Sequence, residues 1–352
     1  MSLRRILQKK FQNLFVAVVL HESACHIKCK VYKDGVIKKT FEKSFTGIYD
    51  TENLDSTIQN YLISLQEEYG FVYIVFLLNA MGQGAIEGTG AESYRKHNVD
   101  IKNVHAISVN KQWSMYASFI EIKWVGNLFS ETGVDLVYSP FLILYDFIVS
   151  QKLKSKPTLY LLNCQDFFIS AVFNDTKLHF GAFFKTQSNN SFTQTNEVSD
   201  WENEQEEESI TNLGEMPELE MDEEDDDEGL SGLSDLEDID ELHEVDSFSD
   251  LDDAKTLGHF KGFDNVKEED TSLELYGRDL LVYKYLKSSF EEYYHNPLFH
   301  GEFIEEIIIF DGFEMSSDLI HQLEDELMMD VEIHKVDIPD RLCDIAIKEV
   351  FR

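Results

Sequence analysis

The chain has 352 residues, 43% of them hydrophobic, which is enough to bury the core of two domains or two lobes. Its formal net charge is −37, but 27 of the 67 acidic residues lie between Glu197 and Asp253, and no Lys or Arg stands between Lys185 and Lys255. Setting that tract aside leaves 40 acids against 30 bases and no basic stripe to offset phosphate repulsion, so the body is not expected to bind nucleic acid.

The start, MSLRRILQKKFQNLFVAVVL, is basic and then apolar, like a secretory leader. The apolar stretch from Leu14 runs through Leu20 into His21 and Glu22 with no small-residue cleavage site, so a cytoplasmic protein is expected. No apolar run approaches the ~18 residues of a spanning helix. Residues 1–13 are expected to form a basic amphipathic segment: Leu3, Ile6, Leu7, Phe11 and the adjoining Leu14 fall near one helical face, while Arg4, Arg5, Lys9 and Lys10 lie elsewhere. Such a segment suits contact with an anionic inner leaflet, but equally suits an ordinary first helix or a frayed terminus.

A first lobe is expected over 14–156. Strands are predicted at 14–20, 25–33 and 36–45, the last two joined by Lys33-Asp34-Gly35. A helix over 54–68 carries Ile58, Tyr61, Leu62 and Leu65 on one face, and FVYIVFLLN (71–79) reads as a buried parallel strand. Residues 80–135 look like an inserted piece. MGQGAIEGTG (81–90) lacks the Gly-Lys-Ser/Thr ending of a phosphate loop and is expected to be a flexible loop. VHAISV (104–109) reads as a strand. Lys111 to Glu131 is predicted helical, with Trp113, Tyr116, Ile120, Trp124 and Leu128 mostly three or four residues apart. Residues 132–148 then turn through Gly133 into a strand and a helix.

A second lobe over 157–352 repeats the plan. Short strands are predicted at 157–163, 167–173 and 177–184, then an acidic disordered tract over about 187–270. In its second half, LSDLEDIDEL alternates acids with apolar residues and suits either a solvated linker or docking on a basic partner. A helix over 279–294, a buried strand over 303–310, a helix over 317–328 opened by Ser316, and a strand over 331–336 complete the chain. The whole is expected to be an internally duplicated α/β protein.

HESACHIKC (21–29) invites a metal site. On a strand, Cys25, Ile27 and Cys29 face one side, while His26, Lys28 and Lys30 face the other. The two sulfurs would then sit about 13 Å apart, whereas a shared zinc needs each at about 2.3 Å. The cysteines therefore read as small core residues, and no metal is expected. Cys25, Cys29, Cys164 and Cys343 are too few and too scattered for a disulfide framework, which fits a reducing compartment. Other histidines, such as His295 and His300, show no ligand spacing, and no Ser/His/Asp order is recognisable.

The order of three strands, helix and strand, used twice, resembles the actin-like ATPase superfamily, and within it the PilM-like proteins. Three stretches carry the resemblance: the opening hairpin, VHAISV through ETGVDLVYSPFLILYDFI, and IIIFDGFEMSSDLIHQLEDELMMDVEI. It implies a duplicated actin-like (RNase H-like) fold of two lobes. In that family, hairpin turns carry Asp-x-Gly-Ser/Thr patterns that hold a metal and phosphates. Here Val19 stands at the Asp position and His21 at the Gly position of the first turn. Asn163 and Gln165 stand at those of the second, and Asp311-Gly312 is a remnant of a Gly pair near the C-terminus. An aliphatic side chain cannot ligate Mg²⁺, so the expectation is a pseudo-ATPase without cofactor; an active ATPase using ATP and Mg²⁺ through altered ligands is the alternative.

The resemblance further implies a scaffold or ring subunit at the cytoplasmic side of an inner membrane. Its partner would be the tail of a PilN-like single-span protein, bound near the inserted piece, in a pilus, secretion or flagellar-motor machine; the acidic tract and the altered turns favour the flagellar setting. Self-association into a ring and peripheral membrane association follow from the same resemblance. A zinc-binding regulator centred on the opening hairpin is a weaker rival.

Overall fold

The computed structural model describes residues 11–47, 53–151, 154–186, 269–299 and 301–351. Arg4, Arg5, Lys9 and Lys10 lie outside them, as does the acidic tract apart from Glu269 and Asp270, which open a helix.

The opening apolar run is a central strand, β1 (Asn13–Leu20), buried along its whole length because both its faces are covered. It pairs antiparallel with β2 (Ala24–Lys33), which pairs antiparallel with β3 (Val36–Thr46). The β2–β3 turn uses left-handed backbone at Asp34 (φ 55°) and Gly35 (φ 82°), as two-residue hairpin turns require. Helix α1 (Ser56–Glu68) is capped by the Asp55 carboxylate and leads into β4 (Phe71–Leu77), parallel to β1. With β8 (Leu136–Tyr138), the sheet order is β3-β2-β1-β4-β8.

The second lobe repeats this order and sense. Strands β9 (Thr158–Asn163), β10 (Phe167–Asn174), β11 (Lys177–Lys185), β12 (Glu306–Asp311) and β13 (Asp330–Lys335) stack as β11-β10-β9-β12-β13. The duplication read from the sequence is therefore a duplication of topology. The expected strand over 303–310 lies three residues later at its start, and Phe303 is exposed.

Five layers result. Helix α1 and α3 (Phe119–Leu128) cover the outer face of the first sheet, with Ile58, Leu62, Val125 and Leu128 in one core. Helices α5 (Glu269–His295) and α6 (Ser317–Leu327) cover the outer face of the second, through Val282, Leu286, Leu319 and Leu323. Between the sheets lie α4 (Pro140–Gln151) and α7 (Ile338–Val350), which share a core with Phe15 and Ala17 of one lobe and Tyr160 and Phe310 of the other. The two helices cross over: α4 follows the first lobe but packs on β9, stacking Phe147 on Phe310 at 5.2 Å, while α7 ends the second lobe but packs on β1 and β2.

Helix α7 has no counterpart among the predicted elements. Its signals are in the sequence: Asp337 caps it, Pro339 sits in its first turn, and Ile338, Leu342, Ile345 and Ala346 are buried at helical spacing.

Two further predictions are corrected in the inserted piece. Residues 81–90 are not a flexible loop; Gln83–Glu87 form β5, buried against β7 (Trp113–Ser118), and Ala91–Lys96 form the short helix α2. The expected helix over 111–131 is half strand. Asn110 (φ 50°) and Lys111 (φ 58°) make a tight turn that folds β7 back on β6 (Val104–Val109). The apolar alternation of Trp113 and Met115 then has a period of two, and the helix starts only where the Ser118 hydroxyl accepts from Glu121 N–H.

Candidate functional site

The ends of β1 and β9 meet in a cleft between the lobes. Each strand turns tightly into the next: His21 N–H donates to Ala24 O at 2.7 Å, and Cys164 N–H donates to Phe167 O at 3.0 Å. These matching bonds make His21 the counterpart of Cys164, and Leu20 that of Asn163. The positions assigned from sequence are therefore out of step: Val19 is matched by Leu162, not by Asn163. The reason is one of facing. Val19 and Leu162 both point into the core between the sheets, whereas Asn163 follows Leu159 and Leu161, which face α5. Both cleft-facing positions are thus aliphatic and buried, and neither can ligate a cation.

The turns are bonded to each other. Asp166 Oδ2 lies 3.0 Å from His21 Nδ1 and accepts from Glu22 N–H at 3.2 Å. Both side chains of the His21–Asp166 pair are under a tenth exposed. Gln165 Nε2 donates to Ser23 Oγ at 3.3 Å, a second link at the rim. Ser23, Asp166 and Gln165 thus close the space between the two hairpins with direct contacts.

Behind the second turn sits Arg278, from α5. Its guanidinium donates to Asn163 Oδ1, Cys164 O and, at 3.2 Å, Gln165 O, and it lies over the Phe313 ring at 4.9 Å. Burial pulls the group below its ordinary pKa, opposed by neighbouring Asp279. Asn163 Nδ2 in turn donates to Asp311 Oδ1 at 2.7 Å. Asp311 also accepts from Phe313 N–H at 3.2 Å and Met315 N–H at 3.0 Å, so its carboxylate organises the loop into α6. Gly312 is needed for close approach: a Cβ there would stand 2.6 Å from Ile338 Cδ1 and 3.2 Å from Asn163 O. The Asp311-Gly312 remnant is thereby a packing element of the second lobe.

A cavity of about 400 Å³ opens beside the turns, lined by Val19, His21, His26, Gln165, Phe313 and Pro339 among others. At its mouth α7 is tied to β2. Lys30 Nζ reaches Asp340 at 2.8 Å and Asp344 at 2.7 Å, and Lys28 reaches Asp337 and Glu42. Burial lowers the Lys30 pKa, but the two carboxylates carry it above its ordinary value.

The hairpin facing predicted for HESACHIKC holds. Cys25, Ile27 and Cys29 enter the core under α1, where burial pushes both thiols up to about 12, and His26 bonds Ser44 on the other face. Among the described residues, no group of three His, Cys, Asp or Glu side chains is placed to hold a metal ion. Sequence reasoning missed Asp166 and Arg278. The pairing of His21 with Asp166 spans 145 residues and has no local signal. Arg278 has one: it lies four residues before Val282 and extends the buried stripe of α5.

Two family models match the chain, both described as domains of unknown function: DUF8341 over residues 159–351 and DUF8569 over 11–145. No curated protein matches the sequence. Among solved structures, the chain is similar to one titled PilM-PilN type IV pilus biogenesis complex, with a TM-score of 0.50 and 11% identity over 94% of this chain and 89% of that one. A protein of unknown function with an actin-like ATPase fold from Bacteroides thetaiotaomicron gives 0.42 and 11% over 96% and 97%. The ethanolamine utilization protein EutJ from Carboxydothermus hydrogenoformans gives 0.38 and 9% over 96% and 91%. At 11% identity the likeness to the first of these, with its TM-score of 0.50, speaks for fold alone, and the fold is the two-lobed actin-like one.

Proposed function

The chain belongs to the family described as domain of unknown function DUF8341, and from this premise we propose that it is a non-enzymatic, PilM-like scaffold built on a degenerate actin-like core. One observation carries the reading: where an actin-like ATPase of the resembled family holds metal and phosphates between two turns, these turns bond to each other through His21, Glu22 and Asp166. A phosphate placed there would have to break that pair and displace Ser23 from Gln165. Val19 and Leu162, at the cleft-facing strand ends, offer a metal nothing, and Asp311 is already committed to three donors.

The scaffold's partner, on this reading, is the cytoplasmic tail of a PilN-like single-span membrane protein, in a pilus-like or flagellar-motor platform at the inner membrane. Support comes from the solved complex of a PilM with a PilN, and from exposed Met81, Phe119 and Ile120 where the inserted sheet joins the first lobe. Ser118 N–H donates to Gly82 O at 2.6 Å, which brings the segments bearing these three side chains together. No helix among the described residues is long and apolar enough to cross a membrane, so anchorage through a partner suits the chain. Self-association into a ring belongs to the same proposal.

The test is purification of the tagged chain from detergent-solubilised membranes, with identification of what comes with it. A single-span protein with a short cytoplasmic tail is the expected companion, and recovery of soluble metabolic enzymes alone would count against the platform. The rival, an active ATPase, makes a thermal prediction. Millimolar Mg-ATP bound with a micromolar Kd would stabilise the folded chain by about 4 kcal/mol. The expected result is no shift in Tm, and a rise of several degrees would restore the enzyme reading.

A further inference from the structure

The outer edge of a sheet carries unpaired backbone, a template on which another extended chain can pair, and most edges of this molecule are guarded. In the first sheet, β3 carries Lys38, Lys39 and Lys43, and β8 is three residues long. In the second, β13 carries Asp330, Glu332 and Lys335, and β11 lies against β5. Strand β6, at the edge of the inserted sheet, reads Val-His-Ala-Ile-Ser-Val, with no Lys, Arg, Asp, Glu or Pro. Among the described residues its close neighbour is β7.

Hydrogen bonds at the two ends of β6 orient its backbone. Asn103 O accepts from Phe119 N–H at 2.9 Å, and Val109 O from Gln112 N–H at 3.0 Å. Successive residues of an antiparallel strand turn their N–H and C=O groups to opposite sides, so residues 103, 105, 107 and 109 face β7. Val104, Ala106 and Ser108 therefore turn theirs outward. Ser118, opposite Val104, obeys the same alternation: its N–H goes to Gly82 O, just before β5. Ile107 pairs with Met115 and shares its face. Met115 is buried, whereas Ile107, one strand further out, is 52% exposed. A fourth strand beside β6 would cover it.

We propose that β6 accepts an uncharged extended segment of another protein as a fourth strand of the inserted sheet. Main-chain bonds to Val104, Ala106 and Ser108 supply the attachment, and the alternate side chains decide which segment fits. The composition of the edge argues for this occupant. Val104 to Val109 hold no charge for an acidic or basic partner to answer, and Ile107 and Val109 favour β-branched or aromatic neighbours on their face. Lys102 and Lys111 stand beyond the two ends, so a basic residue flanking the segment is disfavoured. A second copy of this chain fits worse. Antiparallel self-pairing centred between Ala106 and Ile107 would set Lys102 opposite Lys111 twice, and six residues fall short of the ~1,200 Å² at which stable interfaces begin. An added peptide strand needs no such area, because the edge is already formed and held by the β7 ladder.

The test is amide hydrogen exchange on the full-length chain, read over residues 104–108, with and without a capped eight-residue peptide alternating valine and threonine. With the peptide in excess, exchange there is expected to slow roughly tenfold while β3 is unaffected, as a few new backbone hydrogen bonds would produce. Ala106→Pro removes one outward N–H and spares the pairing with β7, because the ring lies on the solvent side. Ser108→Lys gives the edge a guard of the kind β3 carries. Each should abolish most of the slowing at unchanged melting temperature, and the lysine variant keeps the test decisive should the proline variant fail to fold. No slowing by the peptide, or slowing undiminished in the folded variants, would overturn the proposal. Slowing that rises with protein concentration in the absence of peptide would also overturn it, and would give the edge to a second copy of the chain. The peptide carries no membrane anchor, so these outcomes are separate from those of the purification that tests the PilN-like partner.

Discussion

Replacing Arg278 with methionine is expected to lower Tm by roughly 5–15 °C, as a loss of about 3–5 kcal/mol in a domain of this size would. The guanidinium holds Asn163 Oδ1 and the carbonyls of Cys164 and Gln165, and Asn163 and Cys164 are buried. Methionine has the length to fill the space beside Phe313 but donates nothing, so Asn163 Oδ1 and Cys164 O would lose this donor, while Gln165 O keeps the Thr186 hydroxyl at 3.0 Å. Unsatisfied buried acceptors each cost about 1–3 kcal/mol, which the retained packing does not offset. Asp279, whose pKa burial already pushes up, would lose its adjacent cation 3.9 Å away. Arg278→Lys separates the two contributions, because it keeps the charge without the fork that spans three acceptors. An intermediate loss is expected from it, measured by thermal melts on the full chain. A decrease below about 1 kcal/mol for the methionine variant would mean that water takes over the carbonyls. The second turn would then not be held by α5 at all. A large loss, with amide exchange near His21 also quickened, would show that Arg278 sustains the contact between the turns by holding Asp166 in place.

How far the molecule can be read from its sequence depends on the range of the physics. Strands buried on both faces announce themselves as continuous apolar runs, so β1, β4 and β9 are found almost to the residue, and the turn at Asp34-Gly35 follows from backbone sterics alone. The repeat of strands and helix is legible for the same reason. The inserted piece is not. There Trp113, Tyr116 and Ile120 mimic a helical stripe by their spacing of three and four residues, and only the left-handed pair Asn110-Lys111 reveals a hairpin. The C-terminal helix is legible in its cap at Asp337 and its buried stripe.

The cleft divides in the same way. That Val19 lacks a carboxylate is plain from the sequence, but its partner position is Leu162 and not Asn163, because the facing of β9 shows only in its packing against α5. The link between His21 and Asp166 joins two halves of a duplicated chain, and no local pattern encodes it. The residues of the two turns bond the lobes to each other, and that role is visible only in three dimensions.

Trp113→Ala is expected to cost about 3–5 kcal/mol, the usual range for emptying a large aromatic site in a core that relaxes only partly. Trp113 is fully buried on β7, with ring centroids 5.2 Å from Tyr145 on α4 and 5.5 Å from Phe173 on β10. It joins the inserted sheet to a helix of the first lobe and a strand of the second. Beside it, β5 runs so close to β11 that a Cβ on Gly181 would stand 3.1 Å from Ala85 O, so the surroundings have little freedom to collapse into the hole. The indole Nε1 finds no acceptor among the described residues, which makes Trp113→Phe informative. Phenylalanine keeps most of the edge-to-face packing and removes a buried N–H without a partner, so it should cost less than about 1.5 kcal/mol. Chemical denaturation of the two variants tests the pair. Near-equal losses would show that a phenyl ring does not recover the packing of the site, and the inserted sheet would then be tied to the second lobe through β5 and β11 instead. The expected order, alanine far below phenylalanine, makes the aromatic cluster the joint that fixes the inserted sheet against both lobes. The exposed Met81, Phe119 and Ile120 beside that sheet are then presented on a rigid support, which the proposed docking of a partner tail there would require if it is to proceed without rearrangement.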